Sequence, residues 1–388
     1  MPGRPRILFA TVAAGGGHVT PALAMAEAVE DAAPGAFDTQ VSDLMLDLGL
    51  VRFDTRHKAQ WRWMLARPWT ARWGQRTIDA VPALTRAVLR RGLDAVARAA
   101  AARFAVDPPD LIVANHGFLA FALARARSRY GLRSPLLVQV PESADASALW
   151  AEPLVERFLV ATPVAAGALA RLGVPSDRIE VVGYPVRRAF LQPPARADAR
   201  ARLGLRDAFT CLVLLGGEGV GGRPGAIVRA LRSLPDPPQV EVIAGRNQAL
   251  AAALTAEFGD DVVVRGFVDD MATHLAAADV VVGKPGGATA VEVAAVGRPL
   301  LVPDCAGLNE VALLRWFERL GIAHDVRDLR ALQAHVVAYR HDPEALAAVG
   351  RAARDLDLPG MTSRVAAYVI RFAQGAGRPG AGGERGPA

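Results

Sequence analysis

Short apolar runs that stop at glycine and hand over to helical stretches recur along this chain. This alternation constrains the fold more than any other feature. Ile7–Val12 ends in glycines, and Thr20 and Pro21 then read as an N-cap and first helical residue of a stretch reaching about Glu30. Further strands are expected near Thr39–Val41, Leu111–Ala114, Leu136–Val140 and Phe158–Val160, with helical segments between them. Residues 186–200, with Pro193, Pro194 and several arginines, read as a linker. The alternation then restarts, with strands expected at Cys211–Leu215, Val240–Ile243, Val262–Val264, Val280–Val282 and Leu300–Val302. Strand–helix alternation of this kind builds a parallel sheet with helices on both faces. The reading is therefore α/β, with two Rossmann-like domains facing each other across a cleft. They comprise residues 1–185 and 201–360, followed by a helix over 361–373 crossing back to the first domain and a disordered tail over 374–388.

Composition narrows the function classes. Hydrophobic residues make up 52% of the 388, enough for a full core in each half, and no apolar run is long enough to span a bilayer. The first apolar run is too short for a secretory signal, so the chain is expected in the cytoplasm. Cys211 and Cys305 belong to no metal or redox motif and read as small core residues. The net charge of +6 comes almost entirely from arginine, since Lys58 and Lys284 are the only lysines. No nucleic-acid-binding signature accompanies the charge, so a nucleic-acid partner is not expected.

Three glycine turns carry candidate chemistry. The first is AAGGGHVTPALAMAEA, residues 13–28, where Gly15, Gly16 and Gly17 precede His18. It lacks the third glycine of a dinucleotide fingerprint and the Lys-Ser/Thr of a phosphate-binding loop. His18 could take a proton from a hydroxyl, or could merely cap the turn. The second is VVVGKPGGATAVEVAAVGRPLLVP, residues 280–303. The helix opening after Gly286 would aim the amides of Gly287, Ala288 and Thr289 at a pyrophosphate, with charge from Lys284 and with Glu292 on ribose hydroxyls. Alternatively, Thr289-Ala-Val-Glu292 is a capping box. The third, LLGGEGVGG, holds Gly216 and Gly217 and could cradle phosphate, though a tight turn explains it as well.

In this combination the sequence resembles the GT-B glycosyltransferases that make glycolipids. The likeness is to the monogalactosyldiacylglycerol synthase and processive diacylglycerol glucosyltransferase family. GGGHVTPALAMAEA is also similar to the transferase that adds N-acetylglucosamine to the peptidoglycan lipid intermediate. Further matches are PDLIVANH (109–116), Trp150, RLGVPSDRIEVVGYPVRRAF (171–190), EVIAGRN (241–247), VRGFVDDM (264–271) and GKPGGATAVEV (283–293). They cover most of residues 6–325 in the family's order. The resemblance implies an acceptor-binding first domain and a UDP-sugar-binding second domain. It implies His18 as catalytic histidine, with Asp43, Glu142 or Asp145 orienting it. Gly286 to Thr289 would bind pyrophosphate, Glu292 ribose, and the segment Arg265 to Phe267 uracil. Asn247 would join the donor site, and Glu310, in GLNEVALL, would meet sugar hydroxyls. Two positions depart from the family: VPESADASALW has no histidine before Trp150, and Leu313 replaces a common asparagine.

The expected activity is metal-independent, cofactor-free sugar transfer from a UDP-sugar to a lipid-like acceptor such as diacylglycerol. The alternatives are a non-hydrolysing UDP-sugar 2-epimerase and a non-catalytic lipid-binding or partner subunit. A separate stretch bears on the acceptor. Residues 52–76 hold Trp61, Trp63, Trp69 and Trp73 among seven basic residues, with Asp54 the only acid. Tryptophan and arginine together suit an anionic membrane surface, and Pro68 should divide the stretch into two short amphipathic helices. The rival reading packs these tryptophans against the domain. A peripheral place on the inner face of the membrane follows from the first.

Overall fold

The computed structural model describes residues 4–13, 16–65, 67–219 and 223–376. Gly15 lies outside them, as does the side chain of Trp61 and nearly all of the expected tail. The first domain opens with β1 (Arg6–Thr11), α1 (Gly16–Ala32), β2 (Asp38–Asp43) and α2 (Leu44–Asp47). Four helices follow: α3 (Val51–Leu65), α4 (Pro68–Ala80), α5 (Pro82–Gly92) and α6 (Asp94–Arg103). Then come β3 (Leu111–Ala114), α7 (Gly117–Tyr130), β4 (Leu136–Gln139), β5 (Arg157–Val160), α8 (Pro163–Arg171) and β6 (Ile179–Val181). α9 (Arg188–Leu191) and α10 (Arg196–Leu203) lead into the second domain. That domain runs β7 (Thr210–Leu214), α11 (Pro224–Arg232), β8 (Gln239–Ile243), α12 (Gln248–Phe258), β9 (Val262–Arg265) and α13 (Met271–Ala277). It continues with β10 (Val280–Gly283), α14 (Gly287–Ala295), β11 (Leu300–Val302), α15 (Leu308–Arg319) and β12 (Ala323–Asp325). The last helices are α16 (Leu329–His341), α17 (Pro343–Asp355) and α18 (Leu358–Ala376).

Each domain holds one six-stranded, all-parallel sheet, ordered β2-β1-β3-β4-β5-β6 and β12-β11-β10-β7-β8-β9. The central strands are buried on both faces, which is why they read as unbroken apolar runs. Strand order reverses between β1 and β3 in the first sheet and between β7 and β10 in the second. Crevices at the carboxyl ends of the strands open at such reversals, where successive loops turn to opposite faces.

Three features differ from the sequence expectation. α1 starts at Gly16, so Thr20 and Pro21 lie inside it and Pro21 withholds one amide from the helix. The stretch 186–200 is not an irregular linker. It contains α9 and the start of α10, and α10 packs on α13 through Ala199, Ala276 and Ala277. One of its arginines is buried: Arg200 is 6% exposed and meets Asp279 at 2.6 Å, while Asp279 also accepts the Thr210 amide at 2.7 Å. The last helix is longer than expected, spanning Leu358–Ala376. Val365, Ala366, Val369 and Ala373 on it pack with Ile7, Phe9, Met25 and Val29 of the first domain.

The chain thus passes between domains twice, after β6 and after α17. The crossings are adjacent. Gly183 has φ +106°, and a Cβ there would lie 2.4 Å from the Met361 side chain. The Val186 amide donates to Thr362 Oγ1 at 3.1 Å.

Candidate active site

The reversal in the first sheet brings the loops after β1 and β3 together. His18 sits in the first turn of α1, and His116 is the N-cap of α7, its Nδ1 accepting the Phe118 amide at 3.2 Å. Their ring centroids are 4.7 Å apart, edge to face, and His18 lies 5.9 Å from the Trp150 ring. His57 of α3 joins the cluster, 5.2 Å from His116. His116 is buried and His18 half-buried, and the loss of solvent disfavours charge on both, lowering His18 to about 4 and His116 well below its ordinary value. The Asn115 backbone carbonyl works the other way on His18, and the neighbouring His57 reinforces burial. At neutral pH His18 is therefore an uncharged imidazole, and its Nδ1 is buried without a hydrogen-bond partner.

The acids do not orient His18 as the resemblance implied. Asp43 Oδ2 accepts from the Ala13 amide at 3.0 Å and from Lys58 at 3.2 Å. Glu142 belongs to a second group beside Trp150, with Asp145 and Asp79. Burial raises Glu142 to about 7, Asp145 and Asp79 add repulsion, and Trp150 counteracts them. Asp145 accepts from the Ala146 amide, and Asp79 from Ala148 at 2.6 Å. The rings of His116 and Trp150, rather than a carboxylate, surround His18.

In the second domain the reversal lies between β7 and β10. Gly286 is the N-cap of α14, with no side-chain cap, so the Thr289–Glu292 capping box does not form. The first amide of α14 with an intrahelical partner is that of Ala290, bonded to the Gly286 carbonyl at 2.9 Å. The helix leaves the amides of Gly287, Ala288 and Thr289 without intrahelical acceptors. Lys284 precedes them on the loop, beside Asp304 and Pro303. Glu292, one turn in, is raised to about 7 by burial, and Arg187 opposes that rise. Burial raises the Tyr184 hydroxyl and Glu292 adds to the rise, and its oxygen is buried without a partner. Tyr184 and Arg187 follow β6 at the crossing, and nothing in their spacing marks them as belonging with Glu292.

Across the strand ends, Gly216 takes φ +72° in the loop after β7, and Gly245 packs so closely that a Cβ there would meet the Gly216 and Gly217 carbonyls at 2.5 and 2.6 Å. Asn247 is committed within this loop system: Nδ2 donates to the Gly219 carbonyl at 2.9 Å and Oδ1 caps α12. These bonds shape the loop. Phe267, just past β9, is half exposed with the Arg246 guanidinium 4.2 Å over its ring. The Arg265 side chain turns away to Glu241 and the Leu203 carbonyl, which pins the strand end. Glu310, in the first turn of α15, accepts the Ala306 amide at 2.5 Å. Burial raises its carboxyl, and Lys284 partly offsets this.

The two strand-end surfaces face each other. Helices α1 and α14 pack together, and a Cβ on Gly287 would lie 3.1 Å from the Pro141 carbonyl. An arginine-lined cavity of about 310 Å³ lies at the amino ends of β10 and β11, near Arg196, Arg298, Arg351 and Arg354, away from these carboxyl-end loops.

On the first domain's surface, Arg67 precedes Pro68, which starts α4 after α3 ends at Leu65. Trp63, Trp69 and Trp73 are 50%, 68% and 69% exposed, so none of the three is a core residue of the domain. Leu84 and Val88 of α5, absent from the sequence reading, are exposed as well.

Residues 236–355 match the glycosyltransferase family 28 C-terminal domain. The chain is 28% identical to a processive diacylglycerol beta-glucosyltransferase of Bacillus mycoides, over 66% of each chain. It is 28% identical to a probable chloroplastic monogalactosyldiacylglycerol synthase of Nicotiana tabacum, over 50% of this chain and 39% of that one. The matched region thus spans 66% or less of the length of these curated relatives. Among solved structures, the glycotransferase of kitacinnamycin superposes with TM-score 0.61 at 20% identity, covering 96% of this chain and 99% of that one. Acinetobacter baumannii MurG does so with TM-score 0.56 at 17% identity, covering 95% and 100%. The chain therefore has the GT-B glycosyltransferase fold, and residues 236–355 of its second domain are similar to the glycosyltransferase family 28 C-terminal domain.

Proposed function

We propose that the chain transfers a sugar from a UDP-sugar to the hydroxyl of a lipid-like acceptor such as diacylglycerol, working from a membrane surface. One observation carries the reading. At the reversal of the second sheet, α14 opens with three amides that the helix leaves without acceptors, with Lys284 before them and Glu292 behind. That is a cradle for a pyrophosphate and its ribose, and it packs against the helix bearing His18. Exposed Phe267 and Arg246 suit a nucleobase. The named relatives support the acceptor class, since they are diacylglycerol glycosyltransferases.

In this reading the acceptor hydroxyl attacks the anomeric carbon, its proton passes to His18, and the bond to UDP breaks. Charge then grows on the departing diphosphate. The α14 amides and Lys284 hold that charge, and they accelerate the step to the extent that they bind it more tightly in the transition state. The exposed tryptophans of α3 and α4, with Arg67 and Arg76 beside them, would seat the acceptor domain on anionic lipid.

The test is a donor screen. UDP-glucose, UDP-galactose and UDP-N-acetylglucosamine are offered with and without a lipid extract, and UDP release is measured. Release that depends on lipid is expected with one donor. Release of free sugar without acceptor would favour the epimerase alternative. Tight UDP binding with no turnover on any lipid would favour a non-catalytic subunit.

A further inference from the structure

Arg72 leaves the tryptophan-bearing helix α4 and reaches across to the second domain. Its Nε donates to the Ala306 carbonyl at 3.3 Å and its Nη2 to the Cys305 carbonyl at 2.5 Å. Both carbonyls belong to the loop between β11 and α15. The peptide unit joining Cys305 to Ala306 is gripped from both sides. Its carbonyl accepts from Arg72, and its N–H donates to Glu310 Oε2. In a trans peptide these two groups point in opposite directions, so guanidinium, peptide and carboxylate form one polarised chain. A cation on the carbonyl strengthens the N–H as a donor, and bonds in such chains reinforce one another.

We propose that Arg72 is a positioning residue for the sugar half of the donor. Acting through the Cys305–Ala306 peptide, it fixes the Glu310 carboxylate in the orientation that receives sugar hydroxyls. The proposal rests on the UDP-sugar reading above. It adds that the sugar subsite is complete only while the acceptor domain is docked. Opening the cleft withdraws Arg72, frees the loop and loosens Glu310, whereas the α14 amides and Glu292, which hold diphosphate and ribose, stay in place. Arg72 lies between Trp69 and Trp73 on one helix, so the helix that would meet lipid is also the helix that completes the sugar pocket.

Titration calorimetry on the full chain tests this with UDP and with the UDP-sugar that wild type binds tightest. The variants are Arg72→Ala, Arg72→Lys, Glu310→Gln and the Arg72→Ala/Glu310→Gln pair. Arg72→Ala is expected to leave UDP affinity within about twofold and to weaken UDP-sugar about tenfold, the loss of a charge-assisted contact. Arg72→Lys should recover part of the loss. Added to Glu310→Gln, Arg72→Ala should cost little more, because the two act through one peptide. Equal losses for UDP and UDP-sugar, no loss for either, or full additivity with Glu310→Gln would each overturn the proposal. Should Arg72→Ala lose its thermal transition, Arg72→Gln, which keeps the side-chain stem, is titrated in its place against the same expectations. A wild type that binds no UDP would instead remove the donor reading, and this inference with it.

Discussion

His18 is held neutral by burial rather than by a partner, and that sets its pH behaviour. An ordinary histidine titrates near 6.5, whereas His18 is lowered to about 4. A base that must be neutral to accept a proton therefore stays competent across the mildly acidic range. In Glu292→Gln, which removes the donor-site carboxyl raised to about 7, the remaining acid limb of kcat/KM should lie near pH 4, and a limb at 6.5 would show that His18 is well solvated in the free enzyme. The same depression makes folding stability present above pH 6.5 and progressively lost as pH falls towards 4, because only the unfolded chain takes up the proton there. Replacing His18 with Ala should lower turnover by about two to four orders of magnitude with little change in UDP affinity. Near-normal turnover would remove it from the mechanism. His18 and Glu292 were legible in the sequence because each follows a glycine turn at a strand end. His116, Tyr184 and Arg187 lay within motifs that carried the resemblance but had no role assigned, since strand order and the crossing between domains are what bring them to the site.

Among the elements, α4 shows most plainly what a sequence stripe leaves open. Four tryptophans at irregular spacing suit a packed core or an interface equally well, and only exposure decides. With Trp69 and Trp73 both more than two-thirds exposed, an interfacial helix is the better account. Wild type should co-sediment with vesicles containing anionic lipid, less at high salt. Trp69→Ala/Trp73→Ala should stay in solution with its thermal transition unchanged, since neither ring fills the core. Wild type that ignores such vesicles at low salt would rule out the interfacial helix. The long buried strands were readable from their apolar runs. The three-residue edge strands β6 and β12 were not, because Glu180, His324 and Asp325 break any apolar run there and only the neighbouring strand defines them. Helix α10 was hidden for a related reason: its arginines look like a solvated linker until Asp279 is seen beneath Arg200.

At the scale of the molecule, the two crossings between domains lie against each other at Gly183 and Met361. Gly183 adopts a backbone conformation that side chains rarely take, and no space exists for a Cβ. Gly183→Ala should therefore cost about 1–3 kcal/mol by combining backbone strain with displacement of α18. Urea denaturation would measure it, and the loss should appear in the transition of the first domain. An unchanged midpoint would mean that the crossing relaxes freely. The two-domain plan was visible in the sequence because the strand–helix alternation pauses and restarts. That the pause is a paired crossing was not visible, because its second strand of chain lies more than 170 residues later.

The return of α18 onto the first sheet has a consequence for biosynthesis. A polypeptide emerges from the ribosome amino end first, yet the sheet face bearing Ile7, Phe9, Leu137 and Leu159 is finished by Val365, Val369 and Ala373. The first domain to be made is thus the last to be sealed. While the second domain is being translated, that apolar face stands uncovered and open to a chaperone or to a neighbouring nascent chain. A stop codon or a stalled ribosome just before residue 358 would leave a complete second domain attached to a first domain still missing part of its wall.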